Sequence, residues 1–275
     1  MSTTQTITIE PEAEFSTMSN RPSNSPKYSW ELGPMKLIPT PYHQTGATDD
    51  FTAAASEMAL VHNCIVRCFN SIYLQAPHIP ASEHANFVRY CIAAYESLHA
   101  HHHGEEEHFF PDVERLTGEK GIMEVNVEQH KLFETGFVNW GNWLYLIDSK
   151  KNTFSASTCV TLMDDFLVPL STHLSDEIET LVSLQKYSDV LDIKAMMEAE
   201  GQKVMGSMSK TTQLPCFFLN HDPSFEGAWH SFPPVPPPLR WFLRSVCSRW
   251  HGEWWKFSTV GFDGRARELR FRGEK

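Results

Sequence analysis

The chain has 275 residues, enough for one substantial domain with long extensions or for two small ones. Its formal net charge of -11 excludes a protein that grips nucleic acid through a broad basic face. No stretch approaches the roughly 18 consecutive apolar residues of a membrane-spanning helix, so none is expected.

Residues 1–48 are polar, carry Pro22, Pro26, Pro34, Pro39 and Pro41, and show no sustained period. They are expected to form a disordered or loosely packed arm. Met1 to Asn24 lacks the apolar core of a secretory signal. Six scattered cysteines (Cys64, Cys68, Cys91, Cys159, Cys216, Cys247) read as reduced thiols. Together these suggest a cytoplasmic protein.

Four helical segments follow. The first runs from Asp49 or Asp50, candidate N-caps, to Gln75, and stops at Ala76-Pro77. Its apolar stripe is Met58, His62, Ile65, Phe69, Ile72. A second starts near Pro80-Ala81-Ser82 and reaches about Leu116, with the stripe Phe87, Cys91, Ala94, Leu98, His101, Glu105, Phe109. A third opens after Gly118-Glu119-Lys120-Gly121 and ends near Asp148, with the stripe Met123, Val127, His130, Glu134, Phe137, Gly141, Leu144. The fourth spans about Ser155 or Ser157 to Tyr187, with the stripe Leu162, Phe166, Leu170, His173, Glu177, Leu181, Leu184. Steps of three and four residues put each stripe on one helix face. Long helices with short connectors predict an all-α fold, an antiparallel up-down-up-down four-helix bundle over 49–188. Residues 189–275 read as a linker and an irregular Pro/Trp-rich C-terminal extension.

In every stripe a metal-ligand residue interrupts the apolar positions. A buried histidine or glutamate must find a partner or it costs several kcal/mol. His101/Glu105 and His173/Glu177 are four apart, so each pair shares one helix face and can reach one ion. On the second helix, His102/Glu106 and His103/Glu107 have the same spacing. The stripe favours His101/Glu105, with His102/Glu106 as the alternative or a supporting hydrogen bond. His99, His103, Glu107 and His108 read as a solvated face. His78, His84, His221, His230 and His251 read as surface or tail residues. Pro169, four residues before His173, predicts a tolerated bend.

His62, His101-x3-Glu105 before Phe110-Pro111, Glu128-Gln129-His130 and His173-x3-Glu177 together resemble the hemerythrin/HHE cation-binding family over roughly residues 50–187. The Pro-rich tail looks like that of fungal members. The resemblance implies two non-haem irons with a bridging oxo or hydroxo group, zinc or manganese being alternative metals. It implies His62, His101, His130 and His173 as terminal ligands, Glu105 and Glu177 as bridges, and dioxygen as a partner. Oxygen-carrying members have a second histidine one turn after His130, where this chain has Glu134. A third carboxylate ligand there favours the oxidised metals, and an unligated one leaves an open position. Either argues against reversible carriage. The implied functions are dioxygen binding or reduction, in sensing, storage or carriage. An oxidase or oxygenase with a small-molecule substrate is the alternative, and a metal-stabilised interaction scaffold is third. A substrate cavity beside the metals would favour the enzyme.

Beyond Leu214 the composition changes. Pro233 to Pro238 is a polyproline-like run, and five of the eight tryptophans lie between Trp229 and Trp255. Nine Lys and Arg face four Asp and Glu from Arg240 to Lys275. Rings packed on the bundle with cations in water is the plain expectation. A protein partner bound through this tail is the alternative, and no nucleic acid is expected.

Overall fold

A computed structural model describes residues 27–227 and 232–273 of the chain. These residues are helical, with one isolated bridge between Val260 and Ala266 and no longer strand among them. No helix among them is long and apolar enough to cross a membrane.

Helix α1 is short, Pro41–Thr45. Helix α2, Asp50–Gln75, starts where Asp49 accepts the backbone N–H groups of Phe51 and Thr52. Those are donors that the helix itself cannot satisfy. Helix α3, His84–Gly104, passes through a π-helical turn at Glu105–Phe109 into α4, Phe110–Thr117. Gly118, in the left-handed region at φ 72°, ends it. Helix α5 is Glu124–Asp148 and α6 is Ala156–Ser183, capped by Ser155. The four long helices pack as a helical bundle: α6 against α2 and α5, and α3 against α5 and α2.

Helix α6 runs through Pro169 unbroken. Proline lacks an N–H, so the Asp165 carbonyl loses its helical donor. That carbonyl lies beside Gly136, where an added Cβ would sit 3.1 Å from it, so α5 and α6 approach closely here. One turn further, a Cβ on Gly141 would fall 2.3 Å from the Tyr95 ring. Gly141→Ala is therefore expected to destabilise the protein by about 1–3 kcal/mol through overpacking, read by chemical denaturation.

The segment before α2 is no loose arm over residues 27–48. Trp30 and Met35 are buried. The Asn70 side chain accepts from Met35 N at 3.0 Å and donates to Met35 O at 2.8 Å. Asn63 does the same for Ile38, at 2.8 Å in both directions. Two buried amides of α2 thus act as a strand edge for an irregular strap. Residues 1–26 of the expected arm lie outside the described residues.

The C-terminal extension contributes α7 (Ile193–Ser207), α8 (Gln213–Phe218) and α9 (Pro237–Ser245), then 3-10 turns. Trp255 and Phe257 are buried, the Phe257 ring 5.1 Å from that of Phe87. Gln75 Nε2 donates to the Phe257 carbonyl at 2.9 Å, and Ser71 donates to the same oxygen. One apolar core runs from Met35 through the bundle to Phe257. Trp241 and Trp250 stay exposed beside their arginines. All six cysteines are free thiols, five of them buried.

Candidate metal centre

The stripes converge midway along the bundle. His62 on α2, His101 on α3, Glu105 in the π turn, His130 on α5, and His173 and Glu177 on α6 are all buried. Among the described residues, two groups of ligand-type atoms lie within 4.8 Å of one another. One is His62, His101 and Glu105. The other is His102, Glu105, His130 and His173. Glu105 belongs to both. Glu177 Oε2 lies 3.3 Å from His62 Nε2 and 3.7 Å from His173 Nε2, so a second carboxylate spans the two groups.

The hydrogen bonds fix what these atoms offer. His62 Nδ1 donates to the Leu174 carbonyl at 2.7 Å, which leaves a lone pair on Nε2 aimed at His101 Nε2, 3.2 Å away. His130 Nδ1 donates to Glu106 Oε1 at 2.6 Å, and its Nε2 faces His173 Nε2 at 3.0 Å. Burial, then the neighbouring imidazoles, pulls His101, His102 and His173 well below the ordinary histidine value, so they stay neutral. Burial, then the Glu177 carboxylate, pushes Glu105 well above the usual carboxylate range when no cation is near. Both oxygens of Glu105 and of Glu177 lack a hydrogen-bond donor. A buried carboxylate without a partner is costly. Neutral imidazole lone pairs and donor-free carboxylates converging on one volume are the donor set of a cation site, and nitrogen with oxygen ligands suits iron, zinc or manganese.

Glu134 does not join them. It is exposed on α5, and Phe133 takes the inward position, its ring 5.6 Å from His130 and 5.7 Å from His173. From His130 the stripe reaches Phe137 through either 133 or 134. The apolar ring wins because a buried glutamate there would need a partner. A third imidazole comes instead from α3: His102 is buried, 4.4 Å ring to ring from His130. The alternative pair His102/Glu106 thus divides, His102 joining the site and Glu106 orienting His130 from the surface. His99, His103, Glu107 and His108 are exposed. His221, expected at the surface, is buried against Phe232. His230 lies outside the described residues.

The model of the hemerythrin HHE cation-binding domain matches residues 54–184, which contain every one of these converging side chains. The chain is also 30% identical over 249 residues to a dimeric xanthone biosynthesis cluster protein from Cryptosporiopsis sp., covering 90% of this chain and 94% of that one. The chain belongs to the hemerythrin HHE cation-binding family. No solved structure matches it. In this hemerythrin-like chain, α7, α8 and α9 lie beyond the matched domain. A cavity of 590 Å³ lies between the domain and α7, α8 and residues 232–235, and His101 and Glu105 form part of its wall.

An imidazole held by a carboxylate is fixed in tautomer and more basic. Glu106→Gln is expected to weaken metal affinity about 10- to 100-fold, measured by chelator competition. Glu107→Gln, on the exposed side of the same turn, should leave it unchanged.

Proposed function

We propose that this chain is a non-haem di-iron protein that reacts with dioxygen. The observation that carries this reading is the pair of ligand groups sharing Glu105, with Glu177 touching both. In it, the four long helices form an antiparallel up-down-up-down bundle whose short turns hold all donors at one level. His62 and His101 would hold one iron and His130 and His173 the other, with Glu105 and Glu177 available to both. His102, in the same group as His130 and His173, would be available to that iron as an added ligand. When bound, the irons would supply the electrons that dioxygen reduction requires. The protein's own part is to keep His101, His102 and His173 neutral, orient His62 and His130 through Leu174 O and Glu106, and exclude water with Phe133 and Phe110.

Within this reading an oxidase or oxygenase is favoured over a sealed carrier. The cavity reaches His101 and Glu105, so an organic molecule has room beside the metals. Similarity to a xanthone biosynthesis cluster protein supports chemistry on a small aromatic compound. Metal analysis of the purified chain, with optical spectra before and after anaerobic reduction and air exposure, tests the proposal. Two irons per chain and a spectral change on air exposure are expected. Stoichiometric zinc with no optical response would overturn it.

A further inference from the structure

The 590 Å³ cavity is partly open to solvent and is lined by α2, α3, the π turn, α7, α8 and the segment Phe232–Val235. Its volume suits a drug-sized organic molecule. Met58, Met197 and Met205 line it with Phe109, Phe217 and Phe232. Thioether and aromatic walls adapt to flat ring systems and gain from contacts with them. Among the described residues, five carboxyl side chains (Asp50, Glu57, Glu105, Glu198, Glu200) reach this wall against the single Lys194. That balance repels an anion.

Apart from Glu105 at the metal centre, Glu200 brings an unpartnered carboxyl oxygen to this wall. Glu200 Oε1 is buried and makes no hydrogen bond. It lies where a Cβ on Gly104 would be, 2.5 Å from that position, together with Val204 Cγ2 at 2.5 Å. Gly104 immediately precedes Glu105, so the absence of a side chain lets the α7 carboxyl settle directly on the π turn. A buried acceptor with no donor is costly; the oxygen is covered where it packs on Gly104, and a turn of the carboxyl toward the cavity that Glu200 lines would let a ligand hydroxyl satisfy it. Helix α7 lies outside the 54–184 match, so this wall is an addition of the longer chain to the family's domain.

We propose that this cavity binds a neutral, largely apolar aromatic molecule carrying a hydroxyl, which donates to Glu200 and so turns the ring toward His101 and Glu105. The proposal rests on the di-iron reading for what the molecule is presented to; the binding itself needs no metal. Glu200 acts as a positioning residue for the ligand.

Fluorescence titration of the full chain with hydroxypyrene, pyrene and pyrene carboxylate tests it, in metal-loaded and metal-free samples of measured metal content. Hydroxypyrene is expected to bind at one site, and pyrene carboxylate much more weakly. Met197→Trp and Val61→Phe, which fill the cavity from α7 and from α2, should each weaken hydroxypyrene by at least about tenfold, the cost of ~1.4 kcal/mol. Glu200→Ala should weaken hydroxypyrene about tenfold and leave pyrene unchanged, as loss of one hydrogen bond predicts. Circular dichroism checks that each variant is folded. Unchanged hydroxypyrene binding in both folded filling variants overturns the proposal, as does pyrene carboxylate binding as tightly as hydroxypyrene. An equal loss for pyrene and hydroxypyrene in Glu200→Ala overturns the role of Glu200. Hydroxypyrene binding at this site by a chain that takes up no metal sinks the di-iron reading alone. A chain that holds two irons and binds no hydroxypyrene sinks the cavity proposal alone.

Discussion

Glu105→Gln is expected to strip metal from both halves of the centre, while Glu134→Gln leaves metal content unchanged. Glu105 is the residue common to both ligand groups, and its two oxygens have no donor to turn to. An amide keeps the shape but removes the charge and one acceptor, so one ion loses a ligand outright and both lose the shared negative charge. The loss in affinity should exceed the roughly 10- to 100-fold that follows removal of a supporting hydrogen bond. Metal analysis after gel filtration reads it. Parental metal content in Glu105→Gln would remove the shared-ligand reading. Metal loss in Glu134→Gln would show that this exposed side chain turns inward when metal binds.

The contrast between these two glutamates shows what periodicity can carry. Both stand four residues after a histidine on a stripe. For Glu105 the second helix offers no apolar competitor at the inward position, and the residue stays inside. For Glu134 the preceding residue is Phe133, and a helix satisfies the same stripe by stepping three instead of four. His62, His130, His173 and Glu177 were legible because each replaces an apolar residue between neighbours that fix the face. His102 was less so: adjacent histidines cannot both lie on a single stripe in a regular helix. The core at this level is wide enough to take both, and the π turn at Glu105–Phe109 re-aims the residues that follow. The strap and the cavity had weaker signals still. Asn63 and Asn70 reveal a docked segment only once their partners at Ile38 and Met35 are known. Glu200 sits on a polar helix whose role depends on Gly104, and that pairing crosses nearly 100 residues of sequence.

Removing the metal with a chelator is expected to lower stability strongly, and to do so with a characteristic dependence on pH. Without a cation, Glu105 has a folded pKa raised above its ordinary 4.5. Such a group leaves stability intact below 4.5 and subtracts from it as pH climbs from there toward the folded value, because the unfolded chain gives up its proton first. His101, His102 and His173 have folded values lowered below 6.5. They leave stability intact above 6.5 and subtract from it as pH falls below, because the unfolded chain takes up protons first. The metal-free site therefore penalises folding on both sides, through Glu105 above 4.5 and through the three histidines below 6.5, and at neutral pH the penalty is that of Glu105. A bound cation holds Glu105 as the carboxylate and removes that penalty, so metal-loaded protein should not lose stability as pH rises toward neutrality. It should lose stability only as pH falls through the histidine range, where protons compete with metal for the imidazoles. Melting curves of chelated and reloaded protein across this range test the argument. The gap between the two curves should widen with rising pH. A gap that is constant with pH would show that Glu105 does not carry the charge that the metal neutralises.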